Sequence, residues 1–166
     1  MSDKILTWCL KQKRGIRLVK PNQRLAKEYM RKARSSLNTM NAAEQIGEVE
    51  WVVTTAYYAR YFALYALLMK MGIKSEIHDC SIAVASLLAE HGVIQQELVS
   101  DLSSAKELRI DTQYYIPREL KKEDIKESIK QARTFLLEME KAIEAVDEEQ
   151  INLIKKILIR SKVYQR

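Results

Sequence analysis

The stretch that decides the fold is residues 51–69, which read WVVTTAYYARYFALYALLM. Arg60 divides this stretch into two uncharged runs of nine residues each. A membrane-spanning helix needs about 20 apolar residues and tolerates a central arginine poorly. Because the segment is apolar on nearly every side, it predicts a buried helix at the centre of a helical bundle. We therefore expect no membrane contact.

The segments on either side of this helix also favour helices. The chain has 166 residues but only four glycines and two prolines, so its elements must be long. Apolar residues recur with helical periodicity, and no segment shows the alternation typical of a strand. We predict helices at about residues 4–14, 23–40, 47–71, 80–91, 95–114, from 122 onward, and 149–161. The predicted fold class is all-α: an up-and-down bundle of four to five main helices plus short N-terminal and C-terminal helices.

Four residues predict where helices begin and end. Asn22 is a favourable N-cap for the helix that starts at residue 23. Gly72 stands where a glycine commonly ends a helix, after the central apolar segment. Asp79 is a candidate N-cap for the helix that follows. Pro117 is expected to stop the helix that runs to Tyr114.

Charge is distributed unevenly along the chain. The net charge is +6, and residues 1–36 hold 11 Lys and Arg but only 2 Asp and Glu. We call residues 1–36 the basic lobe. Such a lobe can attract phosphate groups through its long-range field, or it can serve solubility alone. Both interpretations stay open.

The two cysteines, Cys9 and Cys80, match no metal-ligand spacing and form no disulfide framework. We interpret them as reduced thiols of a cytoplasmic protein. The N-terminus has too short an apolar centre for a signal peptide. His78 and His91 have no third ligand at zinc spacing. We therefore expect neither a metal nor a cofactor.

One helix face carries a candidate phosphate-binding set. Lys106, Arg109 and Gln113 lie at i, i+3 and i+7, and so share one face. The guanidinium of arginine suits phosphate because it donates two parallel hydrogen bonds. The alternative is a solvated face with local ion pairs.

A row of tyrosines marks the central helix. Tyr58, Tyr61 and Tyr65 lie at i, i+3 and i+7. The row is consistent with ordinary core packing, with a groove lined by hydroxyl groups, or with a dimer seam. A homodimer is favoured because a helix that is apolar all round needs cover on every side.

Four segments together resemble a known family. They are AKEYMRKARSSL, AYYARYFALYALLMKMGI, ELRIDTQYYI and IKESIKQARTFLLEME, in this order along the chain. The pattern resembles the small HEPN-domain proteins of archaea and bacteria. The resemblance covers about residues 22–145. We therefore expect residues 1–166 to form a single domain with this core, preceded by an extension at 1–21 and followed by a helix at 149–166.

The resemblance implies a function as well as a fold. Many proteins of this family are homodimers that work with a minimal nucleotidyltransferase in toxin–antitoxin pairs. Active members are metal-independent endoribonucleases whose motif is an arginine, a polar neighbour and a histidine a few positions on. Arg109 matches the arginine, but its neighbour is the apolar Ile110, with Asp111 one place later, and Tyr114 stands where the histidine is expected. The resemblance thus implies Arg109, Asp111 and Tyr114 as catalytic candidates in an incomplete motif.

These observations lead to one expected function and two alternatives. We expect a dimer that binds a nucleotide or RNA and acts with a nucleotidyltransferase partner. The resemblance also implies Tyr114 or Tyr115 as a target of nucleotidylation by that partner. The alternatives are an active endoribonuclease toxin and a helical adaptor that binds no ligand.

Overall fold

The computed structural model describes residues 2–114 and 121–163. Seven helices lie within these ranges: α1 Ser2–Lys11, α2 Gln23–Gln45, α3 Val49–Met71, α4 His78–Glu90, α5 Gln96–Tyr114, α6 Lys122–Ala145 and α7 Glu148–Val163. Two strands of two residues each, β1 Arg17–Leu18 and β2 Ile73–Lys74, pair antiparallel. The all-α prediction is confirmed. The expectation of no strand was wrong only for these two pieces, which are too short to show alternation.

α2 and α3 form a helical hairpin. Asn22 caps α2 as predicted, since its Oδ1 accepts a hydrogen bond from the backbone N–H of Leu25 at 2.9 Å. α2 continues to Gln45, well past the predicted end near Met40. A short turn containing Gly47, whose φ is +77°, then reverses the chain into α3.

α3 is the central helix. Sixteen of its 23 residues are buried, and it packs against α2, α5 and α6, with its C-terminal end near β2 and α4. A single chain therefore covers nearly all of this apolar helix. The need for cover, which favoured a dimer from the sequence, is met within one protomer.

The charge at the middle of α3 is neutralised inside the bundle. Arg60 is 1% exposed. Its Nε donates to Asp101 Oδ2 at 2.7 Å, and its Nη2 donates to Asp101 Oδ1 at 3.1 Å. The carbonyls of Ala56 and Ser128 accept further hydrogen bonds from Nη1 and Nη2 at 3.0 and 2.9 Å. One guanidinium thus ties α3 to α5 and α6.

α3 ends at Gly72, which has a left-handed φ of +74°. Its carbonyl accepts a hydrogen bond from the N–H of Val19 at 2.9 Å. A Cβ atom at this position would lie 2.5 Å from the Val19 carbonyl oxygen. Both the backbone conformation and the close approach of Val19, the residue after β1, therefore require glycine here.

Three cations gather on one carboxylate beside the strands. Arg14, Arg17 and Lys74 form ion pairs with Glu76 at 2.9, 3.0 and 2.9 Å. These pairs connect the segment before β1 to the segment after β2.

The start of α4 differs from the prediction. The helix begins at His78 with Ile77 as N-cap, and no side chain caps it. Asp79 therefore lies in the first turn, and its carboxylate binds Lys106 of α5 at 2.6 Å instead. Pairing with a neighbouring helix has replaced the capping role that the sequence suggested.

The expectation of reduced thiols was wrong. Cys9 of α1 and Cys80 of α4 form a disulfide, with a Cα–Cα distance of 5.4 Å and a sequence separation of 71 residues. Both cysteines are fully buried. Packing of α1 on α4 brings the two sulfurs together, and no local spacing signals such a long-range contact.

Within residues 2–114 and 121–163, no helix combines the length and apolar character needed to cross a membrane.

Candidate functional site

The predicted polar face lies on the C-terminal half of α5, which packs on α3 and α4. Arg109 and Gln113 contact each other, since Arg109 Nη1 donates to Gln113 Oε1 at 3.0 Å. Lys106 is turned towards α4, where its Nζ lies 2.6 Å from Asp79 Oδ1, and it also pairs with Glu107 at 3.3 Å. The structure thus divides the predicted trio. Arg109 and Gln113 form one unit, and Lys106 belongs to an ion pair between helices.

Arg109 is held against the aromatic rings of α3. Its guanidinium carbon lies 5.0 Å from the centroid of the Tyr57 ring and 5.9 Å from that of Tyr58. Both distances are in the range of cation–π attraction. These contacts, with the Gln113 hydrogen bond, fix the direction of the guanidinium.

One nitrogen of this guanidinium has no protein partner in the part of the chain that the structure describes. Arg109 Nε is buried, and no hydrogen bond to it is found there. A buried donor without an acceptor is costly, so such atoms usually indicate a missing ligand, ion or water. Arg109 thus keeps one donor that the described protein groups do not satisfy.

A histidine contacts Tyr57, as Arg109 does, although its place there was not predicted. His78, the first residue of α4, has its Nδ1 2.5 Å from the hydroxyl oxygen of Tyr57. Its ring stacks on Tyr61, with centroids 4.2 Å apart and planes 15° from parallel. Three helices thus contribute to one cluster: α3 through Tyr57 and Tyr61, α4 through His78, and α5 through Arg109. We call these four residues the Arg109 cluster.

The electrostatics of the Arg109 cluster favour uncharged aromatic groups. Burial raises the pKa of the Tyr57 phenol above its usual value, so its hydroxyl stays protonated. Burial lowers the pKa of the His78 imidazole, and the positive charge of Arg109 acts in the same direction. His78 is therefore neutral around neutral pH.

The tyrosine row divides into buried and accessible members. Tyr61 and Tyr65 are only 8% and 5% exposed within one chain, whereas Tyr58 is partly exposed. Burial is the main reason that the pKa of Tyr65 is raised to about 12. Of the three tyrosines proposed for a groove or seam, Tyr58 alone offers appreciable surface.

The other candidates lie near the end of α5. Tyr114 is 71% exposed, and Asp111 is half-buried one turn earlier. Tyr115 and Pro117 lie outside the described residues.

Sequence reasoning missed Tyr57 and His78. Tyr57 adjoins the row of Tyr58, Tyr61 and Tyr65 but was given no role, and His78 was considered as a zinc ligand. The one available signal was the position of His78 just after the reversal at Gly72, which returns the chain towards α3. Among residues 2–114 and 121–163, no group of three or more His, Cys, Asp or Glu residues is placed to hold a metal ion.

The model of a protein family described as HEPN domain matches residues 26–143, more than half of the chain. The chain belongs to the HEPN-domain family. The match runs from the first turn of α2 to the last turn of α6 and includes every member of the Arg109 cluster. A search of curated proteins finds no match. Membership supports a function connected with nucleotides or RNA, and HEPN domains often dimerise.

Proposed function

We propose that this HEPN-domain protein binds RNA or a nucleotide, with Arg109 as the main phosphate contact. The observation that carries the proposal is the guanidinium of Arg109, which is held in place and has a buried Nε without a partner among the described residues. Tyr57, Tyr58 and Gln113 fix the arginine from one side. Its remaining donors are oriented before the ligand arrives, which reduces the entropy lost on binding.

A bound phosphate is a better candidate partner for Arg109 than a carboxylate side chain of the protein itself. The nearest acidic group on α4, Asp79, is already paired with Lys106. The charge of Arg109 is therefore not neutralised by that carboxylate. A partly exposed aromatic ring beside an arginine, here that of Tyr58, is also typical of sites that hold unpaired nucleotides, where bases stack and phosphates contact cations.

The experiment is a fluorescence anisotropy titration with a labelled single-stranded RNA and with a labelled ATP analogue. We expect Arg109→Ala to weaken binding about 10- to 100-fold, the range for a hydrogen bond to a charged group of about 1.5–3 kcal/mol. Arg109→Lys should recover part of the affinity, because it keeps the charge but loses the planar fork.

The matched control is Arg133→Ala, which removes an exposed arginine on α6 that donates to Asn41 at 2.8 Å. It changes the net charge equally but should leave binding within about twofold, since a surface charge acts weakly at salt concentrations near physiological. If Arg109→Ala and Arg133→Ala weaken binding equally, the loss of affinity reflects net charge and not a specific contact of Arg109. If the wild-type protein binds neither ligand at low salt, the proposal is wrong and the adaptor hypothesis takes its place.

We propose further that the protein acts as a homodimer. Support comes from the tendency of HEPN domains to dimerise and from large apolar side chains left at the surface, among them Ile46, Trp51 and Tyr114, which are 75%, 58% and 71% exposed. Sedimentation velocity at micromolar and lower concentrations tests this. A monomer at all concentrations would contradict it.

A minimal nucleotidyltransferase is the proposed partner, and Tyr114 is the proposed site of modification. Its exposure at the end of α5 makes the hydroxyl accessible to another enzyme. Incubation with such a transferase and ATP, followed by mass spectrometry, should show a nucleotidylated peptide that Tyr114→Phe removes. An unmodified wild-type peptide, or one modified equally in Tyr114→Phe, excludes this target.

A further inference from the structure

The Arg109 cluster contains no residue of the basic lobe, but part of that lobe lines a cavity at the edge of the bundle. The cavity has a volume of about 480 Å³ and lies where the C-terminal end of α1, β1 and the C-terminal end of α7 meet. Four of the described residues that line it are cations and none of them is acidic. These cations are Lys11, Lys13, Arg17 and Lys162. We call this cavity the basic pocket.

The basic pocket is formed by parts of the chain that the HEPN family model does not cover. The model matches residues 26–143, whereas the pocket is lined by residues between 10 and 17 and by Lys162. It exists because the chain has an extension before α2 and because α7 contacts α1. What the pocket binds is therefore a separate question from what binds at Arg109.

A second cavity of about the same volume shows by contrast what is particular to the basic pocket. This cavity, also about 480 Å³, lies between α2 and α6. Its two cations, Lys27 and Arg34, are matched by the carboxylates of Glu140 and Glu144, and Arg34 forms an ion pair with Glu140. The charges that line the second cavity therefore cancel, whereas those that line the basic pocket all have the same sign.

Most of the positive charge in the basic pocket lacks a protein counter-ion. Among the described side chains, only Arg17 of the four cations has one, since its Nη2 lies 3.0 Å from Glu76 Oε1. That carboxylate is shared with two further cations beside the strands. For Lys11, Lys13 and Lys162, no ion pair is found within the part of the chain that the structure describes.

The floor of the basic pocket is apolar. Leu10 and Ile16 also line it, and they are only 9% and 3% exposed because they belong to the core of the bundle. A cleft with charges of one sign and a wall of low dielectric constant focuses the electric field and concentrates counter-ions from solution. The basic pocket therefore favours an anion that is partly withdrawn from water.

We propose that the basic pocket binds a small ligand that carries a chain of phosphate groups. Lysine and arginine are the side chains that bind phosphate oxygens best, and arginine donates two parallel hydrogen bonds. A single phosphate carries at most about two negative charges near neutral pH, so it leaves much of the charge of four cations unmatched. A chain of phosphates matches that charge more fully.

The volume of the basic pocket favours a compact ligand. Sites for small molecules have volumes of about 300–1,000 Å³, and the basic pocket lies within this range. The inference does not depend on the proposed function, because the basic pocket and the Arg109 cluster share no residue.

The experiment is isothermal titration calorimetry with full-length Arg109→Ala, so that the other proposed phosphate contact is absent. The probes are inorganic tripolyphosphate, ATP and inorganic phosphate, at a salt concentration of about 0.15 M. We expect one tripolyphosphate or ATP per chain, and an affinity for inorganic phosphate that is at least about tenfold weaker, because a single phosphate makes fewer charged hydrogen bonds.

The two polyphosphate probes distinguish the sources of the phosphate chain. Tighter binding of ATP than of tripolyphosphate identifies a nucleotide whose base or ribose uses the apolar floor. Equal or weaker binding of ATP identifies recognition of the phosphate chain alone. If neither probe binds, or if inorganic phosphate binds equally well, the proposal is wrong. Binding that is present in the wild type and absent from Arg109→Ala overturns this inference and leaves the proposed function intact.

Two triple variants test where the ligand binds, both made in the Arg109→Ala protein. The pocket variant replaces three exposed lysines of the basic pocket with glutamine: Lys11, Lys13 and Lys162. The control variant does the same to three exposed lysines of α6: Lys122, Lys126 and Lys130. Because all six side chains are exposed, neither variant disturbs the core.

The pocket variant should bind tripolyphosphate at least about tenfold more weakly, since three favourable charge contacts are lost together. The control variant removes the same net charge but should stay within about threefold of its parent, because distant surface charges are screened by salt. Equal weakening in both variants means that the ligand responds to net charge alone, and it overturns the proposal.

Lysine acetylation followed by mass spectrometry tests the location without any substitution in the pocket. Tripolyphosphate should slow acetylation of Lys11, Lys13 and Lys162 and leave the three lysines of α6 unaffected. Protection of other lysines only places the ligand elsewhere and contradicts the proposal. If a single-stranded RNA protects the pocket lysines and tripolyphosphate does not, the pocket is part of a nucleic-acid surface and the proposal of a small ligand is wrong.

Discussion

Replacement of Asp101 by alanine should strongly destabilise the bundle. The carboxylate accepts two hydrogen bonds from Arg60, at 2.7 and 3.1 Å, and its loss leaves a guanidinium that is 1% exposed without a counter-ion. Removal of one partner from a buried ion pair costs about 3–5 kcal/mol. The Asp101 side chain is 15% exposed, and two carbonyls still accept from Arg60, so we expect the lower end, about 3 kcal/mol.

The assay is equilibrium urea denaturation followed by circular dichroism at 222 nm, under non-reducing conditions. The control is Glu140→Ala, which breaks the pair with Arg34 on the surface, where the two side chains are 30% and 63% exposed. A surface pair contributes about 0–1 kcal/mol, so this variant should unfold almost as the wild type does.

A double variant completes the test. Arg60→Met combined with Asp101→Leu removes both charges and should recover most of the stability that Asp101→Ala loses, because the cost lies in leaving one charge unpaired rather than in lacking the pair. If Asp101→Ala costs no more than Glu140→Ala, the interpretation of this pair as a tie between three helices is incorrect.

Two further predictions concern the ties at the edge of the bundle. Replacement of Cys9 and Cys80 by serine should lower the free energy of unfolding by about 4 kcal/mol, the chain-entropy value for a loop of 71 residues. The loss should appear as a lower urea midpoint, and treatment of the wild-type protein with dithiothreitol should lower the midpoint in the same way. An unchanged midpoint would contradict this prediction. The hydrogen bonds that Lys74 and Arg14 donate lower the pKa of the Glu76 carboxyl to about 2, so its stabilising contribution is full above about pH 4.5 and is lost as the pH falls towards 2. In the wild type, amide hydrogen exchange in β1 and β2 should accelerate as the pH falls over that interval. In Glu76→Gln, exchange should already be fast and should vary less with pH. Equal pH dependence in both proteins would show that Glu76 is not the titrating group.

Local sequence rules were sufficient for much of the fold. The apolar run around Arg60 predicted the central helix, Asn22 predicted the start of α2, and Gly72 predicted the end of α3. Each of these signals acts within one or two helical turns, where spacing along the chain equals spacing in the structure. Asp79 shows the limit of such rules, because an aspartate near a helix start can serve a neighbouring helix instead of capping its own.

The candidate site was predicted only along α5. Arg109 and Gln113 are one helical turn apart, so their contact could be inferred from spacing. His78 lies 21 residues from Tyr57, and their hydrogen bond depends on how α4 packs after the chain reverses. The same reason explains the missed disulfide: partners on different helices are chosen by tertiary packing, which no single segment encodes.

The disulfide between α1 and α4 also affects how the chain responds to proteolysis. The turn between α2 and α3 lies inside the loop that this bond closes, and Ile46 in that turn is 75% exposed. A protease that cuts the chain once there would produce two fragments that remain covalently joined. The nicked protein would migrate as one species on a non-reducing gel and as two after reduction, and its hairpin helices would stay close enough to pack again.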